Sequence, residues 1–153
     1  MKKNILFVCT GNSCRSVMAE WLFKRRIAAR EKEFTVGSAG VAAFDGYPST
    51  LETIRAMRDE GIDMSSHQSR RLTRELVEQA DKIYVMEKLH REMIVSFWPQ
   101  SSGKVHLLTE FSPVQEEKER SLDVPDPIRT TDGFYREVLK MIDGCVQNIA
   151  QTL

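Results

Sequence analysis

Apolar and polar positions follow two different spacings along the chain, and their alternation predicts strands that alternate with helices. Four apolar residues at 5–8 indicate a buried strand, and apolar runs at 34–36, 82–86 and 104–108 indicate three more. Apolar residues recur at helical spacing in 17–31, 48–61, 72–80, 87–98 and 133–153. Repeated strand–helix units with right-handed crossovers predict an α/β protein with a doubly wound parallel sheet.

A polar turn joins the first predicted strand to the first helix, and it consists of Cys9, Thr10, Gly11, Asn12, Ser13, Cys14, Arg15 and Ser16. A loop that enters a helix leaves backbone N–H groups free, and the helix dipole adds positive potential there. Gly11 and Asn12 are expected to adopt left-handed backbone angles that turn N–H groups inward. Arg15 can bind two anion oxygens with its planar guanidinium. The turn therefore predicts a binding site for phosphate or another tetrahedral oxyanion.

Cys9 lies where the first strand ends, which is where ligands bind in open α/β sheets. The N–H donors, the helix N-terminus and Arg15 all favour the thiolate, which is a nucleophile. Ser16 is expected to donate a further hydrogen bond to the sulfur. The alternatives are a buried structural cysteine and a phosphate loop of another kind, although neither G-x-G-x-x-G nor G-K-[ST] occurs in this turn.

Length, charge and apolar content indicate a single-domain protein and argue against a nucleic-acid-binding, membrane or secreted protein. A length of 153 residues fits one domain over 1–153, with enough chain for a substantial core. The 22 Lys and Arg balance the 22 Asp and Glu, so charge gives no reason to expect nucleic acid or an anionic membrane as a partner. The apolar run at 5–8 is too short for a signal peptide or a membrane span. We therefore expect a cytoplasmic protein.

The spacing of the cysteines and histidines argues against a disulfide-stabilised protein and against a metal-binding protein. An odd number of cysteines at these spacings is no disulfide framework: Cys9, Cys14 and Cys145. The three histidines lie far apart and form no metal-binding pattern with the cysteines: His67, His90 and His106. The sequence thus predicts neither a metal nor a cofactor.

The motif C-x5-R-S directly after an N-terminal strand resembles the low-molecular-weight protein tyrosine phosphatases. The variant C-T-G-N-S-C-R-S resembles their bacterial members, which include protein arginine phosphatases, and the likeness extends over nearly the whole chain. The resemblance implies a three-layer α/β/α fold with a four-stranded parallel sheet of flavodoxin-like kind. It also implies phosphorylated protein substrates, no metal, and a structural role for Ser38 in hydrogen-bonding Asn12.

The long segment 109–131 carries several carboxylates, and a cysteine–phosphate mechanism needs one group that protonates the leaving group. The residues alone leave Asp123 and Asp126 as alternatives, although Pro127 keeps Asp126 out of the helical region. The resemblance implies that Asp126 is the general acid of the family's Asp-Pro element. Cys9 would then form a phosphocysteine while Arg15 and the loop hold the phosphate oxygens.

The resemblance also suggests that Cys14 protects Cys9 by a reversible disulfide; the alternative is a small buried side chain. Phosphotyrosine is the first choice of substrate because it is the family's commonest one. Eukaryotic members carry two aromatic residues where Ile128 and Arg129 stand, and Ser13 is closer to the Thr of arginine phosphatases, so phosphoarginine is the alternative. Less favoured are a thioredoxin-coupled arsenate reductase, which needs two further cysteines downstream, and a silent phosphate-binding module.

Two aromatic residues lie in the loop that precedes the second helix. In the resembling family this loop forms one wall of the active-site crevice, so Phe44 or Tyr47 could supply an aromatic face there. Packing of the same rings against the sheet edge is an equally good interpretation of the sequence.

Overall fold

A computed structural model describes all residues from 1 to 153. Its parallel sheet has the strand order β2-β1-β3-β4. The strands are β1 (Lys3–Cys9), β2 (Phe34–Gly40), β3 (Lys82–Val85) and β4 (Val105–Leu107). The predicted four-stranded parallel sheet is confirmed, and the strand order matches the first four strands of the flavodoxin-like order.

Helices cover both faces of the sheet and complete the predicted three-layer α/β/α arrangement. The larger core lies under α1 (Arg15–Arg26), α2 (Leu51–Asp59) and α6 (Asp132–Thr152). A smaller core lies on the opposite face under α3 (Arg74–Gln79) and α4 (Lys88–Phe97). A further short helix, α5 (Gln115–Glu119), lies outside both cores.

The strand order sets the position of the site. The chain moves from β1 to β2 on one side and then crosses to β3 on the other side of β1. Ligands of open α/β sheets bind at the carboxyl ends of the strands where the order reverses in this way. Cys9 is the last residue of β1, and therefore lies at that point.

Two predicted elements differ in the structure. The first helix ends at Arg26 and not near 31, because the chain turns at the buried Ile27 and continues as a 3-10 helix over Ala28–Glu33. The segment 109–131 is not wholly irregular, since it contains α5 and the end of a 3-10 turn at Leu108–Phe111. The hydroxyl of Ser112 accepts from the Val114 N–H and donates to Glu117, which stabilises the start of α5.

None of the helices combines the length and the apolar character that crossing a membrane requires.

Candidate active site

The turn after β1 is shaped by one left-handed residue. Asn12 has a φ of 52°, as predicted, whereas Gly11 does not adopt a positive φ, so that part of the prediction is wrong. Gly40 lets the turn approach β2, because a Cβ there would lie 2.5 Å from the Thr10 carbonyl and 2.8 Å from the Asn12 nitrogen. No hydrogen bond within the protein uses the backbone N–H groups of residues 11–14. Four donors are thus available to an anion.

A directed series of hydrogen bonds ends at the Cys9 sulfur. The Asn12 amide donates from Nδ2 to Ser16 Oγ and to Ser38 Oγ, each at 2.9 Å. Because Ser16 Oγ accepts from Asn12, its own proton is free to point at Cys9 Sγ, 3.0 Å away. Cys9, Ser16 and Asn12 are all buried. A buried hydroxyl that donates to sulfur stabilises the thiolate form.

The Ser38 hydroxyl donates onward to Glu20 at 2.6 Å, and Lys24 pairs with the same carboxylate at 2.7 Å. The hydrogen bond implied between Ser38 and Asn12 is therefore present. Glu20 was not singled out in the sequence, because an acidic residue in the second turn of a helix usually faces solvent. Here it fixes the direction of the Ser38 hydroxyl.

The segment 64–72 supports the turn from another side. The Arg70 N–H donates to Asn12 Oδ1 at 3.0 Å, and His67 Nε2 lies 3.0 Å from the Asn12 carbonyl oxygen, to which it can donate. The Arg70 guanidinium donates to the Ser38 carbonyl at 2.8 Å. His67 and Arg70 hold Asn12 in its left-handed conformation, and neither forms a hydrogen bond with Cys9.

Arg15 is buried and held along one edge of its guanidinium. Its Nη1 donates to Glu87 Oε2 at 2.6 Å and to the Val124 carbonyl at 2.8 Å. These two bonds use both Nη1 protons, so Nε and Nη2 are free for two oxygens of an anion. Glu87 was missed in the sequence, although it comes two residues after β3, at the edge of the sheet that carries the site.

Asp126 and Asp123 have different surroundings. The sequence left both carboxylates as alternatives for the general acid, and their surroundings distinguish them. Asp123 Oδ1 accepts from the Lys88 N–H at the start of α4, at 2.8 Å. Asp126 Oδ1 accepts from the Ile128 N–H at 3.1 Å, while its Oδ2 lies 3.9 Å from Arg15 Nη2. Asp126 is about half exposed and has one oxygen free beside the anion-binding edge of Arg15.

His90 connects α4 to the turn as a neutral ring. Its Nδ1 accepts from the Glu87 N–H at 3.1 Å, so the proton sits on Nε2, which donates to Thr10 Oγ1 at 2.9 Å. Burial lowers the pKa of His90 to about 4, and the nearby Glu87 carboxylate opposes this shift to a lesser extent. In the sequence, nothing beyond the place of His90 in the first turn of a helix indicates this role.

Cys14 is buried beside the turn and is a free thiol, like the other two cysteines. Burial raises the pKa of Cys14 to about 12, and the Thr53 side chain, which hydrogen-bonds the sulfur, opposes the rise. Cys14 is therefore a protonated thiol at neutral pH.

Two aromatic rings stand at the surface of the loop before α2. Phe44 is 74% exposed and Tyr47 is 62% exposed, so neither ring packs against the sheet edge. Ile128, which follows the Asp-Pro pair, is 42% exposed.

Residues 4–153 match the family described as low molecular weight phosphotyrosine protein phosphatase. The chain belongs to this family. It is thereby related to hydrolases that act on phosphorylated proteins, and the resemblance in the turn extends to a match over almost the full length.

Relatives within the family carry two different activities in their names. The chain is 36% identical to the low molecular weight protein-tyrosine-phosphatase Ptp of Acinetobacter johnsonii over 94% of this chain and 93% of that protein. It is 35% identical to the protein-arginine-phosphatase of Bacillus subtilis over 98% and 96%. A solved structure of the YwlE arginine phosphatase, a mutant with a phosphorylated active-site serine, has a TM-score of 0.88 at 33% identity, covering 98% and 95%.

Proposed function

We propose that the protein is a cysteine-dependent phosphatase of phosphorylated proteins, with phosphotyrosine as its substrate and residues 1–153 as one catalytic domain. The observation that carries the proposal is the Ser16 hydroxyl 3.0 Å from the Cys9 sulfur, at the base of a turn with free N–H donors. A thiolate stabilised in this way is a nucleophile. It repels an anionic phosphate, so the phosphate can approach the sulfur only if other groups neutralise the charge of the phosphate. Arg15 and the N–H groups supply that neutralisation.

The reaction has two steps. In the first, the Cys9 thiolate attacks phosphorus in line, the bond from phosphorus to the tyrosine oxygen breaks, and Asp126 gives its proton to that oxygen. In the second, water attacks the phosphocysteine, Asp126 takes a proton from the water, and the sulfur leaves as thiolate with release of inorganic phosphate. Nε and Nη2 of Arg15 and the N–H groups of residues 11–14 bind the equatorial oxygens throughout.

Asp126 fits the role of acid better than Asp123 does. One Asp126 oxygen is held by the Ile128 N–H and the other faces the anion-binding edge of Arg15. Asp123 instead accepts from the first N–H of α4. Ser38 and Asn12 support this arrangement by fixing the Ser16 hydroxyl, and Thr10, Gly11, Ser13 and Cys14 complete the phosphate-binding turn.

Phosphoarginine is the second candidate substrate, and Ser13 favours it. Ser13 is half-buried in the turn, and its small side chain would leave space beside a phosphate that binds there. The arginine phosphatase of Bacillus subtilis is almost as similar to this chain as the tyrosine phosphatase of Acinetobacter johnsonii. The exposed Phe44 and Tyr47 favour phosphotyrosine instead, because they offer an aromatic surface to the substrate ring.

The deciding experiment compares kcat/KM on two peptides of the same sequence, one with phosphotyrosine and one with phosphoarginine. We expect at least roughly tenfold preference for phosphotyrosine, and no turnover of either peptide by Cys9→Ser. A preference for phosphoarginine that Ser13→Ile shifts towards phosphotyrosine would replace the proposed substrate by the second candidate. No turnover by the reduced, unmodified protein would contradict the enzyme proposal.

Cys14 supports a further part of the proposal, which is protection of Cys9 from oxidation. Peroxide converts the Cys9 thiolate to a sulfenic acid, and the Cys14 thiol condenses with it to form a disulfide and water. A thiol reductant then restores both groups. After brief peroxide treatment, we expect dithiothreitol to restore activity in the unmodified protein and to restore little in Cys14→Ala.

A nucleophilic cysteine that must stay reduced also favours the cytoplasm as the place of action.

A further inference from the structure

An apolar cavity lies on the sheet face opposite the larger core. It has a volume of about 210 Å³ and is lined by six apolar residues and one arginine. Two of its lining residues, Leu72 and Ile94, are buried, whereas Phe97 is 68% exposed. Trp98, at the end of α4, is half-buried and also lines the cavity. The lining includes no residue of the candidate active site.

Arg71 is the only charged residue that lines this cavity. Its backbone N–H donates to Asp45 Oδ1 at 2.7 Å, but its exposed guanidinium forms no hydrogen bond or ion pair within the protein. No carboxylate lines the cavity. The cavity therefore combines six apolar lining residues with one guanidinium that forms no ion pair, although the Asp45 carboxylate lies at the backbone of the same residue.

We propose that this cavity binds small amphipathic anions, with the hydrocarbon part on Leu72, Ile94 and Trp98 and the anionic group on Arg71. A cavity of about 150 Å³ lined by apolar residues holds benzene, so this one suits a chain of about eight carbons. Burial of the chain supplies the affinity, and the guanidinium selects an anionic head group over a neutral or cationic one. The proposal is independent of the catalytic function.

Trp98 provides a direct signal for binding. The chain has two tryptophans, so Trp21→Phe leaves Trp98 as the sole tryptophan, and excitation that tyrosine does not absorb reports on it alone. Octanoate serves as the probe, with octan-1-ol and octylamine as partners of the same chain length. We expect a saturable change in Trp98 emission with octanoate, and about tenfold weaker binding of octylamine. Heteronuclear NMR of the unmodified protein checks the result, with shifts expected around residues 71, 72, 94 and 98.

Arg71→Gln tests the head-group contact. We expect this variant to bind octanoate about five- to tenfold more weakly and octan-1-ol as before. Arg74→Gln is the matched control, because Arg74 is an exposed arginine three residues along that does not line the cavity. Its octanoate affinity should be unchanged.

Three results would overturn the proposal. The first is the lack of a saturable response in both measurements. The second is equal affinity for octanoate and octylamine, which would indicate unspecific hydrophobic binding. The third is displacement of octanoate by inorganic phosphate, which would place its carboxylate in the turn after β1.

Discussion

The turn after β1 and the segment around Asp126 form the two halves of the candidate site, and they are built very differently. Asn12 and Ser16 are fully buried and hydrogen-bonded to one another, to β2 through Ser38 and to Cys9. Asp126 is about half exposed and is held by one N–H two residues away. The first half can bind an anion without rearranging, whereas the second depends on a loop that few contacts restrain.

The difference follows from what each half must do. A thiolate and a phosphate dianion repel one another, so the donors that offset this repulsion must be fixed in advance. A general acid must exchange its proton with water in the second step, which an exposed carboxyl can do. We expect changes in the turn to alter phosphate binding and stability, and changes at Asp126 to alter turnover alone.

The largest effect is expected for Asp126→Asn. Removal of the proton donor should lower kcat/KM, which reports only the steps up to formation of the phosphocysteine, by about 10²–10⁴-fold on phenyl phosphate, whose leaving group needs a proton. The loss should be much smaller on p-nitrophenyl phosphate, because nitrophenolate leaves as an anion. Inhibition by inorganic phosphate should stay the same. Steady-state kinetics on the two substrates measure this, and an equal loss on both would exclude Asp126 as the acid.

A smaller effect is expected for Glu87→Gln, which removes the ionic partner of the Arg15 Nη1 edge. We expect kcat/KM and the affinity for inorganic phosphate to fall together by roughly 10–100-fold, since a buried guanidinium without its partner loses its fixed orientation. Glu92→Gln, an exposed change in α4, the helix that Glu87 caps, is the control. Unchanged phosphate affinity in Glu87→Gln would contradict the assigned role.

Ser38→Ala should mainly reduce stability. The change leaves Asn12 Nδ2 and the Glu20 carboxylate each without one buried partner, which should lower the free energy of unfolding by about 1–2 kcal/mol. Urea unfolding measures it. Ser102→Ala, at an exposed serine, should change the free energy by less than about 0.5 kcal/mol. An equal effect of both changes would show that the buried hydrogen bonds add nothing to stability.

The smallest effect concerns the pH dependence of stability. Because burial lowers the pKa of His90 to about 4, the unfolded chain binds a proton there before the folded chain does. This contribution is complete above about pH 6.5 and is lost as the pH falls towards 4. Between about pH 7 and about pH 5, unfolding free energy should drop by on the order of 1 kcal/mol more in the unmodified protein than in His90→Gln. If the free energies of unfolding of the unmodified protein and of His90→Gln change in parallel with pH, this prediction is contradicted.

The sequence predicted the sheet, the place of the turn and the family, because these depend on local patterns. The apolar run at 5–8 and the motif from Cys9 to Ser16 are contiguous, so all the residues that define them are neighbours along the chain. It could not show that Glu87 and Val124 hold Arg15, since 72 and 109 residues separate these partners from it along the chain.

For the same reason, the sequence could not decide which of the two predicted left-handed positions in the turn is occupied. The local sequence allows a positive φ at both Gly11 and Asn12. Arg70 and His67 decide in favour of Asn12, and they do so from a segment more than fifty residues away.

The end of the first helix was predicted too late for a related reason. Residues 28–31 have good helix propensity, but the chain must turn there to enter β2, and Arg30 bonds to Glu33 and to the Ala150 carbonyl instead. Tertiary contacts override propensity at such points.

The most direct test of the account is to identify the residue that carries phosphate during turnover. The protein is mixed rapidly with a phosphotyrosine peptide, quenched in denaturant and digested, and the peptides are analysed by mass spectrometry. The account predicts phosphate on Cys9 in the unmodified protein. In Cys9→Ser it predicts no phosphate on any cysteine and no sustained release of inorganic phosphate. Turnover with phosphate on another residue, or full activity in Cys9→Ser, would contradict the account.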